Sequence, residues 1–184
     1  MPTSLGENFS VAVIGAGVQG AELALLSIRA GFRTIVEDVF PSKLRSLSER
    51  LQQEFATEAS SIIFANSIED AVRDADFAMD SVPDELESKL EIFSLLDRMA
   101  PPRTIICSPL EAVSLSDLAS CTYRAPLCIG VQPMNGSFTE CHVVRLVRGT
   151  LTSDETADKA KLFWHQVSKQ VHLVHDAALP EFGA

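Results

Sequence analysis

Three glycines in residues 11–20, V-A-V-I-G-A-G-V-Q-G, stand in a G-x-G-x-x-G frame directly behind an apolar run, with an acid, Asp38, eighteen positions after Gly20. Each glycine has a physical role. Gly15 turns the chain off a buried strand, Gly17 lets backbone approach a pyrophosphate, and Gly20 lets the next helix sit close to the sheet. The intervening Ala16, Val18 and Gln19 belong to the same loop. A helix starting near Val18 offers its free first amides to phosphate. Residues 11–14 are continuously apolar, as a parallel strand covered on both faces requires. The helix that follows carries Leu23, Leu25, Leu26 and Ile28 and stops at Gly31. A second strand over 34–36 ends at Glu37 and Asp38. Asp38 lies where an acid accepts hydrogen bonds from an adenosine ribose, and such a carboxylate repels a 2′-phosphate. The reading is therefore a dinucleotide site, with NAD favoured over NADP. The alternative for Asp38 is a solvated strand end.

Strand and helix signals alternate along the rest of the chain. Pro41 opens a helix with Leu44, Leu47, Leu51 and Phe55 on one face, and 62–65 reads as the next strand. Ser67 caps a short helix, 77–82 forms a strand, Pro83 starts a helix through Met99, and 104–107 forms another strand. Strands over 127–131 and 141–147, a helix over 153–168 and a strand over 171–174 complete the pattern. This is an α/β fold: a Rossmann-type doubly wound, mostly parallel sheet with helices on both faces. The 184 residues are expected to form one domain, with 1–9 and 177–184 as tails.

Charge and composition exclude some partners. A net charge of −10 argues against nucleic acid and anionic membranes, which both reward basic patches. No apolar stretch reaches the roughly 20 residues that a bilayer span needs, and residues 1–10 lack the features of a signal peptide, so a cytoplasmic location is expected. Cys107, Cys121, Cys128 and Cys141 have no C-x-x-C spacing and read as small buried hydrophobes. No metal site is expected among the histidines either.

From 11 to 176 the chain resembles the amino-terminal NAD-binding domain of the L-3-hydroxyacyl-CoA dehydrogenase family. The likeness rests on the glycine frame, on D-A-D-F-A-M-D-S-V-P-D-E-L-E-S-K (74–89), on I-G-V-Q-P-M-N (129–135) and on L-V-R-G-T-L-T-S-D-E-T from Leu146. The resemblance implies NAD as cofactor. It places Asp84 and Lys89 on the nicotinamide ribose side, although an exposed salt-bridging helix start would look the same for both, and it adds Ser81 and Val82 to the cofactor-binding residues. Asn135 is retained, to meet the nicotinamide or to serve as turn chemistry.

The same resemblance exposes three departures. The family's catalytic histidine falls on Gln132, and its orienting glutamate, counted twelve residues on, falls on Val144. An amide does not titrate near neutral pH and valine cannot orient a partner, so no catalytic residue is assigned and the family reaction is expected to be weak or absent. A family serine falls on Glu111, which is either a replacement base or a solvated loop residue. Glu140 and His142, read on the same strand face as Val144, are the remaining titratable candidates. His165, His172 and His175 read as surface or packing residues, and Trp164 as core. The family's helical domain has no counterpart before the sequence stops at A-A-L-P-E-F-G-A. The face it covers is expected to be exposed, polar, or covered by another copy or a partner subunit, and the tail with Leu179 and Phe182 to dock across an apolar groove, on this chain or on a partner. Two functions remain: an NAD-dependent oxidoreductase acting on a CH–OH group, with an unknown substrate, or a non-catalytic NAD-binding module.

Overall fold

The apolar run ahead of Gly15 becomes strand β1 (Ser10–Ile14), in which all five residues are buried. The computed structural model describes residues 4–6, 8–54 and 62–176. In chain order, β1 is followed by α1 (Val18–Arg29), β2 (Arg33–Glu37), α2 (Pro41–Glu54), β3 (Ile62–Phe64), α3 (Ile68–Val72) and β4 (Phe77–Asp80). Then come α4 (Leu86–Met99), β5 (Ile105–Pro109), α5 (Leu115–Ser120), β6 (Cys128–Pro133), β7 (Val143–Arg148), α6 (Asp154–Gln166) and β8 (Gln170–His175). These strands form one sheet in the order β3-β2-β1-β4-β5-β6-β7-β8. All neighbours are parallel except β6 and β7. The expected α/β, doubly wound, mostly parallel architecture is therefore the one observed.

Alternation along the strands sends side chains to two cores. Val11 and Val13 join residues of α1, α2 and α6 on one face, including fully buried Trp164, whose ring stacks on Phe138. Ala12 and Ile14 join residues of α3, α4 and α5 on the other. Leu5 and Phe9, ahead of β1, pack against the first core. Phe55 and the tail 177–184, with Leu179 and Phe182, lie outside the described residues.

Most strand ends shift by one or two residues, and three differences bear on the site. Helix α4 begins at Leu86, not at Pro83, because Glu85 N–H bonds back to the Pro83 carbonyl and Asp84 turns its carboxylate to another loop. Helix α5 has no counterpart in the expected pattern; its signal is Ser114, whose hydroxyl accepts from Asp117 N–H three residues on. Strand β7 begins at Val143, so Glu140 and His142 precede it and do not follow its face alternation.

Candidate functional site

Sheet order reverses between β1 and β4, and the chain leaves the carboxyl ends of these strands in opposite directions, which opens a crevice there. A cleft of about 630 Å³ fills that crevice, within the usual size for a small-molecule site. Gly15, Gly17, Val18 and Gln19 form one wall, Asp38, Val39, Phe40 and Lys43 a second, and Ser81, Val82, Pro83, Asp84 and Glu111 a third. Two glycines are demanded by the geometry. Gly15 has φ +103°, and a Cβ there would sit 2.8 Å from the Ser81 carbonyl oxygen; a Cβ on Gly20 would sit 1.8 Å from the Gly15 carbonyl oxygen. Gly17 precedes α1 with no side-chain cap on the helix's first amides, and Gly17, Val18 and Gln19 at that helix start line the cleft.

Asp38 is 8% exposed and organises the loop itself. One carboxylate oxygen accepts from Ala16 N–H at 2.8 Å and the other from Phe40 N–H at 2.8 Å, which leaves each with a second lone pair for a ligand hydroxyl. Lys43 Nζ stands 3.5 Å away, so the field there is less negative than Asp38 alone would make it. Burial, and then the Asp38 charge, push the neighbouring Glu37 carboxyl above its usual range.

Lys89 is placed in a way the sequence did not announce. It is 1% exposed and does not line the cleft. Its ammonium lies 3.1 Å from Asp80 Oδ2 and 2.9 Å from Ser108 Oγ, both fully buried, and 3.8 Å from Asp84 Oδ1. Lys89 thus ties α4 to β4 and β5 beneath the cleft. Asp84 lines the cleft and accepts from Glu111 N–H and Ala112 N–H, which fixes the loop after β5. Ser81 Oγ, also lining the cleft, is buried with no hydrogen-bond partner.

A second cleft of about 420 Å³ adjoins the first through Glu111 and is lined by Leu110, Gln132, Pro133, Met134, Asn135, Gly136 and Arg145. Here the count of twelve is corrected. Val144 is fully buried in the core, and the residue opposite Gln132 in the β6–β7 pairing is Arg145, whose Nη1 donates to Gln132 Oε1 at 3.2 Å. Asn135 lines this cleft with left-handed backbone (φ 72°) beside Gly136, the turn conformation its type tolerates. Glu140 and His142 line a separate hollow with His172, and Glu140 accepts from Ser137 N–H and Oγ. Glu111 is the titratable candidate that reaches both clefts; Gln19 Nε2 donates to its Oε1 at 3.4 Å. Among the described residues no group of three or more potential metal ligands occurs, and no helix is long and apolar enough to cross a membrane.

The features around the first cleft fit an NAD molecule: bare amides for the pyrophosphate, Asp38 for a ribose, and exposed Val39 and Phe40 for a flat apolar ring. Comparison with known proteins agrees. Residues 10–177 match the family described as 3-hydroxyacyl-CoA dehydrogenase, NAD binding domain. The 3-hydroxybutyryl-CoA dehydrogenase of Bradyrhizobium diazoefficiens is 30% identical over 180 residues, which cover 90% of this chain and 61% of that protein. The L-carnitine dehydrogenase of Oceanobacillus iheyensis is 28% identical over 167 residues, covering 85% of this chain and 54% of that protein. The crystal structure of a 3-hydroxyacyl-CoA dehydrogenase from Archaeoglobus fulgidus superposes with a TM-score of 0.83 at 25% identity, over 94% of this chain and 58% of that one. The chain thus spans under two thirds of the length of each.

Proposed function

The chain belongs to the 3-hydroxyacyl-CoA dehydrogenase NAD-binding domain family, and from that premise we propose that it binds NAD(H) in the cleft between β1 and β4 while oxidising 3-hydroxyacyl-CoA thioesters weakly or not at all. Bound NAD would supply a hydride acceptor. Gly15, Gly17 and the α1 amides hold its pyrophosphate, Asp38 an adenosine ribose hydroxyl, and Ser81 Oγ and Asp84 the nicotinamide side.

The observation that carries the weak-activity reading is the Gln132–Arg145 pair. The base position holds an amide that does not take a proton near neutral pH, and its partner is a permanent cation that cannot stabilise a positive charge on it. Proton removal from a substrate hydroxyl in the family manner therefore has no acceptor there. Glu111 supports oxidation of a different CH–OH substrate over a purely non-catalytic module, since its carboxylate lines both clefts.

An NADH titration followed by its own fluorescence tests the cofactor reading. Micromolar affinity is expected, weakened about tenfold or more by Asp38→Ala and weaker for NADPH. No saturable binding would reduce the glycine loop to architecture. Rapid NAD-dependent oxidation of 3-hydroxybutyryl-CoA would overturn the activity reading.

A further inference from the structure

We propose that the second cleft is a carboxylate site, in which Arg145 supplies the charge and Gln132 sets the guanidinium and adds a neutral donor. Arg145 is an exposed cation on a cleft whose acid, Glu111, lies beyond 4.0 Å of it. Arg33, Lys43, Arg73, Arg103, Arg124 and Arg148 each lie within 4.0 Å of a carboxylate. Arg145 does not, among the described residues; its hydrogen-bond partner is the neutral Gln132 carbonyl.

One guanidinium N–H serves Gln132 and the others remain as donors in a planar fork, the geometry that carboxylates match with two parallel bonds. Because Gln132 Oε1 is turned to Arg145, its Nε2 is left as a further donor in the same cleft. The antiparallel pairing fixes this juxtaposition, since Gln132 and Arg145 are direct neighbours on β6 and β7. The same cleft carries Glu111, whose carboxylate repels an anion and accepts from a hydroxyl. A ligand with an acid and, a few bonds away, a hydroxyl satisfies both groups. The structure thus points to a small free hydroxycarboxylate, in place of a thioester whose carbonyl has no charge for Arg145 to meet. This cleft is the substrate side only where NAD occupies its neighbour, as proposed above; the anion contact itself needs no cofactor.

The test is a titration of the ¹⁵N-labelled protein without cofactor, using 3-hydroxybutyrate, its methyl ester and inorganic phosphate as probes. Saturable shifts of the Arg145 Nε–H and Gln132 side-chain amide signals are expected with the acid. Affinity should be about tenfold or more weaker for the ester, and weaker by a similar factor for the acid with Arg145→Gln or Gln132→Leu. Equal binding of acid and ester, equal binding of phosphate, or unchanged affinity in Arg145→Gln would each overturn the proposal. A parallel NADH titration of the same samples separates the two readings: loss of NADH binding alone sinks the cofactor site, and loss of acid selectivity alone sinks this one.

Discussion

Replacing Lys89 with methionine keeps most of the buried stem and removes the ammonium that faces Asp80 at 3.1 Å. Asp80 is fully buried and would retain Ser108 Oγ at 2.9 Å and Val82 N–H at 3.2 Å as donors. Taking one partner from a buried ion pair costs about 3–5 kcal/mol. Proton uptake caps the electrostatic part. Burial already pushes the Asp80 carboxyl above its ordinary 3.8, against the opposing pull of Lys89 and Ser108, and removing the cation pushes it further. Neutralising a carboxyl from that ordinary value costs about 4 kcal/mol at pH 7 and about 2 kcal/mol at pH 5. With two hydrogen bonds retained and the wild-type carboxyl itself already raised, Lys89→Met should lose up to about 4 kcal/mol at pH 7 and up to about 2 kcal/mol at pH 5. The sign follows from linkage: the folded variant holds a proton that the unfolded chain releases above about pH 4, so stability falls as pH rises toward the raised folded value. Against a usual domain stability of about 5–15 kcal/mol the loss is readily measured. Urea unfolding at both pH values, read by Trp164 fluorescence, supplies the numbers. The double variant Asp80→Asn, Lys89→Met should lose less than Lys89→Met at pH 7 and lack its pH dependence. A single-variant loss below about 1 kcal/mol at pH 7, or one that does not change with pH, would refute the reasoning.

Two further predictions concern the cleft between β1 and β4. Gly20→Ala would drive a Cβ to 1.8 Å from a backbone oxygen, so α1 must move off β1; a stability loss of about 1–3 kcal/mol and a collapse of NADH affinity are expected, and wild-type binding would contradict the close-packing account. Glu37→Gln should raise the melting temperature at pH 7, because burial and Asp38 hold the Glu37 carboxyl above its ordinary 4.5 and wild-type stability declines as pH rises through that window. The gain should close as the pH falls to about 4.5, and a lower melting temperature than wild type at pH 7 would be the contrary result.

The residues of the first cleft that the sequence named are those whose placement is local. Gly15, Gly17, Val18, Gln19, Asp38, Ser81, Val82 and Asp84 all line it, because a strand, a turn and a helix start in direct succession place them. Asn135 and Lys89 depend on distant elements: Asn135 lines the second cleft, and Lys89 lies beneath the first, 3.8 Å from Asp84. Nothing in L-E-S-K announces that Lys89 is enclosed, since the acid and hydroxyl that receive it come from β4 and β5. Glu22 is similar: on an otherwise apolar helix face, it is buried and accepts from Phe138 N–H at 2.9 Å, 116 residues away.

The sequence by itself determined the architecture. Continuous apolar strands, amphipathic helices and a glycine frame admit few folds, and these are short-range signals that survive without knowledge of any partner. Only the tertiary structure decided which side chain faces Gln132. Counting along the chain arrives at Val144, but Met134 N–H bonds to the Val143 carbonyl and the ladder pairs Gln132 with Arg145. A shift of one residue in a strand turns every side chain to the opposite face. Here that shift sends a valine into the core and sets a guanidinium at the cleft.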